Sequence, residues 1–302
     1  MIRRIIARAP TYIADAAQDP KWLVMFAFGR FMMFRRLAWP SPVGEEPSDQ
    51  PAGGSLFTAS LPSVLHDLRT DGISTGLMLP PEHVAAIRQF AESHPCFGNF
   101  NRDLAFLPEA HREAEARAGK PILTGHYLES VEQCPSVDLI RSDPLILRIA
   151  ERYLASTPKP ISTRLWWSFP AAAPSEQDLH HASQGKMHFD LDDWRTLKFF
   201  FYLTDVGPAD GPHVYMRGSH ERRKWRHQFT PVVGHDTAEV VAAYGRDNLF
   251  EVCGAAGFGF AEDSFAFHMG QVSRGKPRLM LEVGFGVSSA PSRRFHGELV
   301  LH

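Results

Sequence analysis

Two histidines, an aspartate and an arginine are the residues whose types and spacing could do chemistry. His188 and Asp190 flank Phe189, His268 lies far downstream, and Arg278 follows ten positions later. Imidazole and carboxylate groups bind divalent transition metals. Two histidines and one carboxylate occupy one face of an octahedral ion and leave three neighbouring positions for reactants. The segment around the triplet reads as a β-strand, where residues two apart point the same way, so His188 and Asp190 can serve one ion. His268 would complete the set from a distant strand. Arg278, at the start of the following strand, carries a permanently charged planar fork suited to a carboxylate. Singly these are weak signals, since a chain with 15 histidines contains His-x-Asp by chance and a lone histidine is as readily structural.

The elements that must position them are short strands. Thr196 to Val206 (TLKFFFYLTDV) is rich in β-branched and aromatic residues and reads as a buried strand running into the turn Gly207 to Pro212. His213 to Met216, Phe250 to Cys253, Asp263 to Met269 and Arg278 to Gly286 continue the pattern at intervals of about ten residues, broken by Gly and Pro. Such spacing predicts a sandwich or barrel. Ile161 to Phe169 reads as a further strand, with Trp166 and Trp167 as core residues of which one could line a pocket. Helical spacing of Val84, Ile87 and Phe90 places a helix over Pro81 to Ser93 that braces the outside of the barrel.

The stretch from Lys186 to His220, together with Asp263 to Phe285, resembles the phytanoyl-CoA dioxygenase family of Fe(II) and 2-oxoglutarate-dependent oxygenases. The resemblance rests on His-x-Asp, the YLTDV-type strand, the Gly-Pro turn, the corner Gly218-Ser219-His220, the distal His268 and Arg278. It covers roughly residues 140 to 286, counting a helix over Asp143 to Ala155. It implies a mainly β fold with flanking helices, a double-stranded β-helix or jelly-roll barrel of cupin-like type. His188, Asp190 and His268 would be both metal ligands and catalytic centre, and Arg278 would hold the far carboxylate of 2-oxoglutarate. The implied reaction is hydroxylation of an unactivated C–H bond of a small molecule, with O2 consumed and succinate and CO2 released. Related iron halogenases lack the carboxylate ligand, so Asp190 points to hydroxylation or a kindred oxidation. Lys198 is a further cofactor-binding candidate, because some such oxygenases anchor 2-oxoglutarate by a barrel lysine; its alternative is a buried stem whose ammonium reaches water. Arg274 is the lesser candidate.

A cupin-type metalloprotein that binds a divalent metal without 2-oxoglutarate is the competing reading, and Arg278 separates the two. His220 matches a structural corner, and the adjacent His180 and His181 suit a loop before the site better than a metal pair. Asp192 and Asp193 are expected at the surface or as polar substrate contacts. The run Arg217, Arg222, Arg223, Lys224 and Arg226 is either a solvated charge cluster or a rim that attracts an anionic substrate.

A chain of 302 residues with a net charge of −2 and 44% apolar content is neither disordered nor a general nucleic-acid binder. We expect an N-terminal segment and linker over residues 1–55 and a single oxygenase domain over 56–302. Three cysteines, Cys96, Cys134 and Cys253, form no CxxC pair and suggest a reducing, cytoplasmic setting. Residues 1–40 are basic, and Trp22 to Met33 is apolar but interrupted by Arg30 and too short to span a bilayer. This segment either packs on the barrel or a partner, or rests on a membrane surface.

Overall fold

The computed structural model describes residues 20–38, 53–128, 130–171, 174–181 and 184–288. Its strands are β1 (Ile73–Met78), β2 (Cys96–Gly98), β3 (Ala105–Phe106), β4 (Thr124–Tyr127), β5 (Lys159–Ser168), β6 (Met187–His188), β7 (Thr196–Tyr202), β8 (His213–Met216), β9 (Val233–His235), β10 (Leu249–Val252), β11 (Phe258–Glu262), β12 (His268–Gly270) and β13 (Arg278–Gly286). Its helices are α1 (Pro20–Phe28), α2 (Met32–Ala38), α3 (Leu61–Thr70), α4 (Pro81–Ser93), α5 (His111–Ala118), α6 (Pro135–Arg141), α7 (Pro144–Leu154), α8 (Glu176–His181) and α9 (Thr237–Tyr244).

The strands form two antiparallel sheets. One has eight strands in the order β1-β11-β7-β13-β5-β4-β2-β3, the other five in the order β10-β8-β12-β6-β9. Phe200, Tyr202, Phe260 and Met280 from the large sheet pack with Tyr215 and Val252 from the small one, so the sheets face each other across a shared core. This is the jelly-roll arrangement expected. The alternation of β13 shows how it works: Leu279, Leu281, Val283 and Phe285 join the apolar layer under the helices, while Arg278, Met280 and Glu282 face inward. The inner face is therefore where polar groups collect.

Helices α3, α4 and α7 cover the large sheet through Leu61, Leu65, Leu68, Ile87, Ile146 and Ile149. Helix α7 carries its own start and stop signals. Asp143 caps its N-terminus by accepting from the Leu145 and Ile146 amides at 2.8 and 3.2 Å, and Ala155 ends it in the left-handed region. The same carboxylate accepts from the Leu56 amide at 2.7 Å and the Ser55 hydroxyl at 2.9 Å, tying the N-terminal connection to the domain. Replacing Asp143 by alanine should therefore cost about 2–3 kcal/mol, more than an isolated cap, read as a lower urea midpoint at unchanged slope.

Residues 20–38 pack on the outer face of the small sheet, with Phe26 and Met32 against the cluster of Phe189, Phe265 and Phe267. The chain breaks at Gly29 and Arg30 into two helices. No helix among the described residues is long and apolar enough to cross a membrane. Most of the Pro-rich linker and the first 19 residues lie outside the described part.

Two readings need correcting on local structure. Asp263 to Met269 is not one strand: residues 263–267 turn, and pairing begins at His268. Residues 176–181 are helical, so His180 and His181 end α8 and do not lie in a loop.

Candidate metal centre

The two imidazoles meet because their strands pair. His188 on β6 lies directly opposite His268 on β12, which places both side chains on the same, inner face with ring centroids 4.3 Å apart. Asp190 differs from expectation in its backbone. Strand β6 ends at His188, and Asp190 stands just beyond it, held by its amide donating to the Ser264 carbonyl at 2.8 Å. Phe189 still points the other way, into the cluster on the outer face, so His188 and Asp190 share a side. The three residues place one ligand atom each within 4.8 Å of one another, and Asp190 Oδ2 lies 3.7 Å from His268 Nε2.

The donor set fits a divalent metal chemically. His268 Nδ1 faces the Ala266 carbonyl at 3.0 Å and His188 Nδ1 the Lys186 carbonyl at 3.4 Å. Such contacts fix Nδ1 as the protonated nitrogen and leave Nε2 for a metal. Burial, and then His268, push His188 down to about 3, so it is neutral at physiological pH. Burial opposes the charge of Asp190, but Lys198 and then the two histidines outweigh it and hold the carboxyl below its usual range. A neutral imidazole at His188 and an ionised carboxylate at Asp190 are forms a metal requires.

Lys198 is buried, its side chain 3% exposed, so its ammonium does not reach water. It contacts Asp190 at 2.8 Å, Asp192 at 2.9 Å and Glu282 at 3.9 Å. Burial works against this ammonium, yet the three carboxylates together raise it well above the ordinary lysine value. Gly284, opposite Lys198 on β13, leaves space for the arrangement, since a Cβ there would run into the Ser162 hydroxyl and touch the lysine stem. Ser162 in turn donates to Glu282 at 2.5 Å.

Asp192 and Asp193 are not surface acids. Asp192 belongs to the lysine cluster, and burial pushes its carboxyl up to about 6 against the pull of Lys198. Asp193 accepts from the amides of Trp194, Val287 and Ser288 at 2.6–2.7 Å, which ties the end of β13 to the loop after the metal ligands. In the basic run, Arg223 is likewise not solvated: its guanidinium lies 4.1–4.4 Å from the rings of Phe189, Phe265 and Phe267 and donates to the Phe265 carbonyl.

Arg278 faces the same interior from the start of β13. Its guanidinium donates to the Ser168 hydroxyl at 3.0 Å and to the Gly211 carbonyl. Burial lowers its pKa, and the only group opposing that is the Tyr202 phenol; no carboxylate among the described residues pairs with it. A buried cation without a counter-ion is costly, so this position favours an incoming anion. Arg274 is exposed on the turn before β13.

Sequence reasoning missed His213 and Glu262. His213 stands between the metal ligands and Arg278: its ring stacks on His268 at 5.5 Å, and its Nε2 lies 2.8 Å from Glu262 Oε2. Burial, and then Arg278, lower His213 to about 3, while burial raises Glu262 to about 8, so both are neutral near pH 7. Period-two alternation could have found them, because Glu262 is in phase with the inward Phe260 and His213 with Tyr215. Of the two tryptophans, Trp167 packs under the helices and Trp166 faces inward, 6.3 Å from His126. His126 stacks at 3.5 Å on Phe100, whose φ of 60° is unusual for a bulky side chain. With Arg164 lying 5.2 Å over Trp166 and 3.5 Å from Glu282, these rings form an aromatic wall beside the lysine cluster.

Against known proteins, no family profile matches the sequence, and no curated protein matches it. Solved structures do. AviO1 from Streptomyces viridochromogenes Tue57 superposes with a TM-score of 0.51 at 18% identity, over 78% of this chain and 99% of that one. EctD from S. alaskensis with bound Fe gives 0.51 at 14% identity, over 82% and 83%. HygX from Streptomyces hygroscopicus, with nickel, 2-oxoglutarate and hygromycin B bound, gives 0.51 at 14% identity, over 76% and 88%. Fold and site together define a jelly-roll protein with a two-histidine, one-carboxylate metal triad on its inner face.

Proposed function

We propose that this protein is an Fe(II) and 2-oxoglutarate-dependent oxygenase of phytanoyl-CoA dioxygenase type that hydroxylates an unactivated C–H bond of a small molecule. One observation carries the reading: a single buried face holds both the triad and an arginine lacking a counter-ion. A metal-only cupin has no use for the second. Structures of similar fold include proteins crystallised with iron and with 2-oxoglutarate, which supports the same assignment.

In this reading His188, Asp190 and His268 hold Fe(II), and Arg278 with Ser168 receives the distal carboxylate of 2-oxoglutarate. The bound iron supplies the centre at which 2-oxoglutarate and O2 combine to yield succinate, CO2 and an oxidised C–H bond. The chain's own part is positional. Carbonyl contacts orient both imidazoles, and Lys198 clamps Asp190 from behind. That clamp suits orientation of a metal ligand better than a role at the distal carboxylate, where Arg278 stands. The Phe100, His126 and Trp166 wall with Arg164 is the surface we assign to an organic substrate. Three unpaired cysteines, two of them buried, accord with a cytoplasmic setting.

The test is anaerobic titration of the purified chain with Fe(II) and 2-oxoglutarate, following the visible charge-transfer band of a chelated keto acid. Arg278→Gln should weaken 2-oxoglutarate affinity by about 10–100-fold, the worth of a charge-assisted pair, yet still give the band at saturation. Metal binding with no band at any 2-oxoglutarate concentration would instead identify a cupin-type metalloprotein.

A further inference from the structure

We propose that the outer face carrying α1, α2 and the turn Trp225–Gln228 is a docking surface for an anionic phospholipid membrane. Beyond Lys21 in its first turn, helix α1 is apolar on every side. Trp22 and Met25 are buried, yet Leu23, Val24 and Phe28, on the other side, are 42%, 52% and 43% exposed. A helix of that kind is satisfied only by burial on every side or by lipid. Helix α2 repeats the pattern one turn apart, with Met33 62% and Leu37 72% exposed.

The apolar surface is continuous with a second element distant in sequence. Phe28 contacts Phe34 at 5.0 Å, Phe34 contacts Phe31 at 6.2 Å, Phe31 contacts Phe229 at 5.1 Å, and Phe229 contacts Trp225 at 4.9 Å. The five rings make one ridge whose far end, Trp225, is the most exposed aromatic side chain described, at 71%. A contiguous apolar patch of this extent marks an interaction site, whereas scattered exposed residues do not. Exposed tryptophan and phenylalanine are the side chains that enter a membrane interface.

Charge selects the partner. Although the whole chain has a net charge of −2, Arg222, Lys224 and Arg226 flank Trp225, and Arg36 lies on α2 beside the exposed Leu37. Of the nearby acids, Glu221 is engaged with Arg36 and Arg195, and Glu239 with His227. Next to Trp225, a small recess of about 80 Å³, open to solvent, is lined by Arg217, Arg222 and Lys224 with Tyr244, Asn248 and Ala243. Arg217 is braced by lying 4.1 Å over the Phe250 ring. Gly218 has φ +70°, and the Arg222 guanidinium sits where its Cβ would be, so a side chain there would expel it from the recess. Three cations around one recess, beside an apolar ridge, match a phosphate headgroup with its acyl chains alongside. A protein partner would require acids at the recess and apolar groups along the ridge at once; an anionic bilayer presents both everywhere.

The test is co-sedimentation of the full chain with phosphatidylcholine vesicles made with and without phosphatidylglycerol. Binding is expected only with phosphatidylglycerol, and should weaken as salt is raised. Trp225→Ala/Phe229→Ala and Arg222→Glu/Lys224→Glu should each lower the partition by at least about tenfold, as each interfacial basic residue is worth roughly fivefold. Both variants should keep the wild-type melting temperature and Fe(II) affinity. Equal partition into both vesicle types, or none into either, would overturn the proposal. So would a dimer in light scattering that Trp225→Ala/Phe229→Ala dissociates without vesicle binding, since the ridge would then belong to a second copy. Calorimetric binding of inorganic phosphate to the recess without vesicle binding would reassign it to a soluble phosphate ligand.

Discussion

His268→Ala is expected to abolish the charge-transfer band with 2-oxoglutarate and to weaken Fe(II) binding by more than about 100-fold. Outer partners of metal ligands already cost 10–100-fold when removed, and a ligand costs more. The reason is specific to this geometry. His268 is the middle of the arrangement: it pairs across the sheet with His188, lies 3.7 Å from Asp190, and stacks on His213. Without it, two donors remain, and two donors on one face do not hold a divalent ion against water. Isothermal titration with Fe(II) under argon gives the affinity directly. Retention of wild-type affinity would move the metal away from the triad. His220→Ala is the control, since that histidine is also buried but stands outside the ligand cluster, so Fe(II) affinity should be unchanged.

Lys198→Met is expected to destabilise the metal-free chain by about 3–5 kcal/mol, the largest effect on stability we anticipate from a single side chain outside the apolar core. Removing one partner from a buried ionic cluster leaves the others charged and unpaired. Here the others are three carboxylates, two of them with side chains no more than 5% exposed. The sign with pH follows. Burial already holds Asp192 up at about 6 against the pull of Lys198, so once the ammonium is gone its folded-state pKa lies further above its unfolded value. The folded chain then binds more protons than the unfolded one, and stability falls as pH rises from about 4 upward. The deficit relative to wild type should therefore be larger at pH 8 than at pH 5, measured by urea denaturation at both. A pH-independent deficit would indicate a packing loss alone. Fe(II) should recover part of the stability, because a metal at Asp190 takes over one of the charges.

The lysine cluster also shows where reading along the chain stops. Lys198 among phenylalanines is conspicuous in the sequence, but its partners come from β13 and from the loop after β6. Nothing local says that Asp192 turns inward, because an acid in an irregular segment is by default at the surface. The same holds for Arg223. In a run of basic residues the expectation is solvent, and only the folded chain shows three aromatic rings closing around that one guanidinium.

By itself the sequence singled out His188, Asp190 and His268 as candidates and determined the strand over Arg278–Gly286, the helix over Pro81–Ser93 and a sandwich or barrel of short strands; the helix over Asp143–Ala155 and the jelly-roll class came with the family resemblance. What the residues themselves carried is local or periodic: alternation, helical spacing, and turns marked by Gly and Pro. Tertiary structure alone decided the rest. It set His268 opposite His188, gave Lys198 its three carboxylates, placed His213 between the triad and Arg278 with Glu262 against it, and brought Trp225 and Phe229 to the N-terminal helices. Each of those depends on pairings between segments tens to hundreds of residues apart. Their register is set by the packing of two whole sheets, and so by the burial of both faces together. A pattern within any one segment carries no record of which partner it will meet.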